Sequence, residues 1–232
     1  MSGDMNTGLG NCLLMCVAVY SFMHETGVRY ELANNGDDCV LIIPRQHLHL
    51  LDRLPAYFKA LGFPVAVEAP VYELEKVDFC QTHPVETELG WQMVRDPRAC
   101  LDKDLQSLKP CRNVTEWNTL RNTIGLSGLA LAGNMPIFRE FYSFMRRGAG
   151  TRVDQDRTMT GFRMLARGMN MSRVPIDDTA RVSFFRAFDI TPSEQIEVEA
   201  SFARLDPTFK VPACREVLEL SAEARAMGSG SS

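Results

Sequence analysis

The sequence predicts an α+β fold, a buried helix plus an antiparallel hairpin followed by an all-helical part. Three observations carry this prediction. Thr7 to Thr26 is apolar nearly all round and reaches Gly27 without a breaker, which predicts a long buried helix stopped at Gly27. Arg29 to Ala33 and Cys39 to Ile43 are β-rich runs joined by Asn34-Asn-Gly-Asp-Asp38, and Asn-Gly between such runs signals a hairpin. Beyond Asp96-Pro97 the punctuation becomes that of helices.

The elements follow in order. Pro44 closes the second strand of the hairpin, and Cys39 to Ile43 should be fully buried. A helix ends at Ala60-Leu61 with Gly62 as its stop, and Pro55 either begins or kinks it. Val65 to Glu68 and Val77 to Thr82 read as short strands, the latter ended by Pro84, and Gly90 to Val94 as one more. Asn113 is placed to cap the segment through Trp117 and Leu120, and Pro136 to occupy the first turn of Ile137 to Arg147, with Gly148 as the stop. Thr191-Pro-Ser-Glu194 is a capping box, and Pro212 opens a last helix through Met227. The expected division is therefore 1–90, mixed, then 91–227, helical, with 228–232 a disordered tail.

The 232 residues are 45% apolar and 23% charged, ordinary for a globular chain with a real core. The longest apolar run, Cys12 to Met23, is shorter than a bilayer span, so no transmembrane segment is expected. Asp4 near the start, without a basic cluster, excludes a signal peptide. Seven cysteines without a Cys-x-x-Cys pair point to free, mostly buried thiols. Cys12, Cys16, His47 and His49 match none of the usual zinc spacings, and core thiols with surface imidazoles are the better reading. Charge is uneven: residues 1–90 hold 5 basic and 12 acidic side chains, and 91–232 hold 20 and 17. Such a split suggests that the two parts meet different partners.

Adjacent carboxylates Asp37 and Asp38 on a hairpin tip repel each other unless a cation neutralises them. A solvated acidic turn is the plain alternative. Oxygen ligands on a rigid turn suit Mg²⁺, which takes one or two protein carboxylates plus substrate phosphates. At the start of the chain, Ser2, Thr7 and Asn11 are short polar side chains at a loop-to-helix junction, with Thr7 and Asn11 on one helical face. Helix capping is the plain alternative for the first two. Asn11, inside an apolar helix, should be a buried amide in need of a partner, such as a ribose hydroxyl or a backbone group.

Taken together, Ser2-Gly3, Thr7 and Asn11, then a helix, then a strand–Gly36-Asp-Asp38–strand turn closely resemble motifs B and C of viral RNA-dependent RNA polymerases. The stretches SGDMNTGLGN, ELANNGDDCV and VDFCQTHPV are similar to those of the tombusvirus family and its relatives. The helix around Ala56 to Gly62 with the following strand resembles motif D, and Phe79-Cys80-Gln81 falls where motif E, the primer grip, is found.

The resemblance implies a partial polymerase palm at 1–90 and an all-helical thumb at 91–227. It implies that Asp37 and Asp38 hold catalytic Mg²⁺, with Mn²⁺ as a substitute, and that Ser2, Gly3, Thr7 and Asn11 shape the nucleotide site. Recognition of the ribose 2′-hydroxyl would favour RNA precursors. Cys80 and Gln81 would lie near the primer backbone. Expected partners are template and nascent RNA, ribonucleoside triphosphates, and an N-terminal polymerase part or other replicase proteins. The expected location is the host cytoplasm, at membrane-associated replication complexes reached through other sequence or proteins. Arg146, Arg147, Arg152, Arg157, Arg163 and Arg167 are candidates to line the exit path of the duplex, with a solvated face paired to Asp154 and Asp156 as the alternative. The motif A Asp-x-x-x-x-Asp and the basic fingers residues do not precede Ser2, so Met1 reads as an internal methionine and the chain as a C-terminal portion inactive by itself. No lysine occupies the motif D position in Phe63 to Pro70, which leaves the general acid unassigned. The alternative reading is a non-catalytic module that binds RNA or a replicase.

Overall fold

Helix α1, Thr7–Thr26, ends where the sequence predicts: Gly27 takes the left-handed conformation (φ 67°) and its N–H returns to the Met23 carbonyl. This computed structural model describes residues 6–106, 111–153, 166–171 and 174–205. They divide into two compact units, Met1–Pro84 and Val85–Ser232. The expected tail at 228–232 and the last helix from Pro212 lie outside the described residues.

In the first unit α1 is not the buried helix the sequence predicts. Only Val19, Phe22 and Met23 are buried, whereas Leu9, Leu13, Leu14, Val17 and Tyr20 are exposed, Leu9 by 78%. The physical reason is coverage: the core of this unit forms around one end of the helix, where Val19, Phe22 and Met23 meet Leu54 and Phe58 of α2, Leu54–Ala60. The helix is also longer than the apolar run read from the sequence. At 20 residues it is long and apolar enough to cross a bilayer by length and composition alone, because Tyr20 and Ser21 do not interrupt it.

Strands β1, Glu31–Asn35, and β2, Asp38–Ile42, pair antiparallel with Asn35 opposite Asp38, so the connecting turn is only Gly36-Asp37. Gly36 has φ 90° and no positive φ occurs at Asn35, the pattern of a turn with glycine in first place rather than of an Asn-Gly turn. Asn34 and Asn35 are therefore strand residues. Nor is Cys39 to Ile43 fully buried, since a two-stranded sheet leaves one face open and Ile42 is exposed. A 3₁₀ segment, Arg45–Arg53, leads into α2, and Pro55 begins that helix rather than kinking it. Val65 to Glu68 forms no strand: Pro64 and Pro70 bracket it and it has no ladder partner. Val77 to Thr82 is likewise not a strand. Cys80 and Gln81 turn left-handed (φ 54° and 59°), and Phe79 bridges straight to Thr82.

The strand begins at that point instead. β3, Thr82–Thr87, carries Pro84 inside it, tolerable in a two-stranded sheet where an N–H can go unpaired, and pairs with β4, Gly90–Arg95. The second part of the chain is therefore not all-helical from residue 91, because β4 extends to Arg95. Helices α3, Pro97–Lys103, α4, Val114–Ala132, α5, Phe138–Arg146, α6, Asp178–Phe188, and α7, Pro192–Arg204, follow. Asn113 caps α4 by accepting the Glu116 N–H at 2.9 Å, and Thr191 and Glu194 form the complete capping box. α5 starts one residue later than its proline suggests. Ile137 takes a positive φ (65°), and its N–H is held by the Glu199 carboxylate at 2.9 Å.

The core of this unit is aromatic. Phe138, Phe141, Tyr142, Phe144, Phe184 and Phe188 pack between the helices, with Phe184 and Phe188 ring centroids 4.7 Å apart. Gly125 and Gly128 let α4 approach α5, since a Cβ at Gly128 would overlap the Tyr142 ring and one at Gly125 the Arg146 side chain. Asp104 is the polar hub, taking both Arg95 nitrogens at 3.0 and 2.8 Å and the Tyr142 hydroxyl at 2.6 Å.

Candidate active site

Three pieces of local structure in the first unit build the candidate site: the first half of α1, the Gly36-Asp37 turn and the Cys80-Gln81 turn. Asp37 stands at the tip of the hairpin and Asp38 is the first residue of β2, both exposed. Neither carboxylate makes an ion pair or a side-chain hydrogen bond with a described residue. Two carboxylates at successive positions concentrate negative charge, with no ion pair to a described residue to offset it.

Asn11 faces this turn. Its Cβ lies 3.4 Å from where a Cβ on Gly36 would stand, an ordinary van der Waals distance, so helix and turn lie side by side here. Asn11 itself is exposed, not the buried amide expected, because the first half of α1 is uncovered. Its side chain is open to solvent. Thr7 is half-buried in the first turn of α1, and Ser2 and Gly3 lie outside the described residues.

Two residues that the sequence reading treated only as turn formers hold the pieces together. The Asn34 side-chain oxygen accepts the Gly36 N–H at 2.8 Å, while its Nδ2 donates to the Cys12 carbonyl at 2.8 Å and to Cys16 Sγ at 3.2 Å. Asn35 Nδ2 donates to Cys80 Sγ at 3.0 Å. A signal was available: asparagine is depleted in strands, so two in succession ask for a side-chain role. Cys80 is thus joined to the carboxylate turn, whereas Gln81 is exposed beside it. The thiols are less buried than expected, with only Cys100 buried among the described residues and Cys16 exposed. Burial first, then the Asp38 and Cys16 charges, pushes the Cys39 thiol above its ordinary range.

No cluster of three or more His, Cys, Asp or Glu that could hold a metal occurs among the described residues. Asp37 and Asp38 nevertheless fit a magnesium ion, as an open pair of oxygen donors that leaves most positions to water and phosphate. The arginines expected along an exit path are partly committed elsewhere. Arg146 donates to Asn122 Oδ1 and Met171 Sδ, and Arg147 to the Phe202 and Leu205 carbonyls. Arg152 and Arg167 are exposed, and Arg157, Arg163, Asp154 and Asp156 lie outside the described residues.

The chain belongs to the viral RNA-dependent RNA polymerase family, whose model matches residues 1–210. Its relatives are RNA-directed RNA polymerases of plant viruses. It is 39% identical to that of Carnation mottle virus, over 92% of this chain and 28% of the relative. It is 40% identical to that of Tomato bushy stunt virus (strain Cherry), over 88% and 25%. For Cucumber necrosis virus the values are 40%, 86% and 24%. The chain therefore spans about a quarter of the length of the relatives it matches. No solved structure matches it significantly.

Proposed function

We propose that this chain is the motif B to thumb part of a longer RNA-dependent RNA polymerase, and that its first unit carries half of the catalytic centre. The observation that carries the reading is the bare Asp37-Asp38 pair set against Asn11 across Gly36, in a chain of this family. In the reaction the 3′-hydroxyl of the growing RNA attacks a ribonucleoside triphosphate, and pyrophosphate leaves. Magnesium bound by Asp37 and Asp38 would supply charge neutralisation at the reacting phosphates. Asn11 offers an amide, donor and acceptor at once, to a ribose hydroxyl, with Thr7, Ser2 and Gly3 shaping the same pocket. Cys80 and Gln81 present their turn to the primer backbone. The helical unit serves as the thumb, and Arg152 and Arg167 remain available for RNA phosphates.

Alone, the 232-residue chain should not incorporate nucleotides, because two carboxylates make an incomplete site for two-metal chemistry. Replication at membranes of the host cytoplasm is part of the same proposal. The test is nucleotide incorporation by the longest polymerase polypeptide that carries this sequence. Asp37→Ala should abolish Mg²⁺-dependent incorporation with an unchanged circular dichroism spectrum, since Asp37 is exposed and bonds to nothing described. Full activity of that variant would overturn the reading. A stop codon in frame immediately upstream of Met1 would favour the non-catalytic binding module instead.

A further inference from the structure

We propose that Asn34 and Asn35 are positioning residues that orient the Asp37-Asp38 turn, Asn34 from the side of α1 and Asn35 from the side of Cys80. The inference rests on the polymerase reading and deepens it. A two-residue hairpin needs neither amide: Gly36 supplies the positive φ, and the β1–β2 ladder supplies the register. The bonds that leave the hairpin are therefore additional to it. One planar amide, Asn34, grips the Gly36 N–H inside the turn while its Nδ2 reaches the Cys12 carbonyl and Cys16 Sγ on α1. Rotating or sliding the turn along the helix must break at least one of these three bonds.

The contact it holds closed is the one between Asn11 and Gly36, where a Cβ would already touch. On the other side Asn35 Nδ2 holds Cys80 Sγ, in a residue with φ 54° whose backbone conformation persists only where its surroundings enforce it. The two amides thus fix three things relative to one another: the helix face bearing Asn11, the two carboxylates, and the Cys80-Gln81 turn. Neither amide is a ligand itself. Their effect is on where the carboxylates point, and an error of about 1 Å there costs on the order of 10²-fold in rate.

Asn34→Asp is the informative variant, because it keeps the oxygen that accepts the Gly36 N–H and loses both Nδ2 donations. It also adds a negative charge beside Asp38, which by attraction alone would strengthen cation binding. Weaker binding would therefore report geometry. In the longest polymerase polypeptide carrying this sequence, free Mn²⁺ is titrated by electron paramagnetic resonance, and Mg²⁺-dependent incorporation is measured alongside the melting temperature. The expected result is weaker Mn²⁺ binding and a raised Mg²⁺ requirement, each by about 10-fold, the scale of outer-sphere perturbations. The rate constant should fall while KM for template RNA holds and the melting temperature shifts little. Wild-type Mn²⁺ binding and wild-type Mg²⁺ requirement in Asn34→Asp would overturn the inference.

Should Asn34→Asp melt far below the parent, Asn35→Ser decides the matter. Its site is exposed, and the same changes at smaller size are expected. Asp37→Ala, run in parallel, separates the two failures. If it abolishes incorporation while both asparagine variants behave as wild type, only the positioning role is wrong. If it too is silent, the polymerase reading falls with it.

Discussion

The first unit buries five apolar side chains, Val19, Phe22, Met23, Leu54 and Phe58, at one end of α1 and leaves the other end of that helix bare, whereas the second unit closes an aromatic core across five helices and a hairpin. Polar groups follow the same division. In the second unit they are tied inward: Asp104 takes Arg95 and Tyr142, and Glu199 takes two Arg181 nitrogens at 3.1 and 3.0 Å as well as the Ile137 N–H. In the first, Glu75 is buried and Asn34 is tied to α1, but the carboxylates of the turn are exposed and bond to no described residue. The unit that carries the candidate chemistry has spent little on its own stability. The other has spent its side chains on being rigid, down to arginines that a sequence reading assigns to RNA.

The largest effect expected from this contrast is in the aromatic core. Phe184→Ala removes a fully buried ring packed on Phe138 and Phe188 and should cost about 3–5 kcal/mol. Both tryptophans, Trp91 and Trp117, belong to the second unit, so denaturant unfolding followed by their fluorescence reads the loss directly. A shift below about 1 kcal/mol would mean that this core is not what holds the unit together. Next comes Gly128→Ala. Alanine raises helix propensity by about 1 kcal/mol, but overpacking against Tyr142 typically costs about 1–3 kcal/mol, so net destabilisation is expected from the same measurement.

Alkaline pH should act on the second unit too. Burial above all pushes the Cys100 thiol up to about 12, and burial with the Asp104 charge raises the Tyr142 hydroxyl. The folded state thus holds protons that the unfolded state gives up. Stability is full below pH about 9 and falls as pH rises towards 12, by up to about 1.4 kcal/mol per pH unit for each such group. Unfolding curves at pH 8 and pH 10.5 test the sign, and greater stability at the higher pH would refute it. The smallest effect belongs to the bare end of α1. Leu13→Gln keeps helix propensity and uncovers nothing, so the chain's melting should move by less than about 0.5 kcal/mol. A large loss there would show that the first half of the helix is packed after all.

Local signals were legible wherever a side chain acts on its own backbone neighbours. Gly27 and Gly62 stop their helices, Asn113 and Thr191 cap theirs, and the hairpin forms around Gly36. These depend on φ preferences and on bonds spanning three or four residues, which travel with the sequence. The motif spacing that placed the chain among viral polymerases is information of the same kind.

Burial was not legible, because a run of apolar residues says what a helix can cover and not what arrives to cover it. The first half of α1 reads as core and is surface, and Val65 to Glu68 reads as strand and has no neighbour to pair with. The exact turn, Gly36-Asp37 rather than Asn35-Gly36, was decided by the pairing of Asn35 with Asp38. So were the new roles of the two asparagines. By itself the sequence determined that two carboxylates would stand at a hairpin tip near a polar helix start. Only the tertiary structure decided that Asn34 grips α1 and Asn35 grips Cys80, since hydrogen bonds between residues 22, 18 and 45 positions apart exist only once the chain has brought them within about 3 Å.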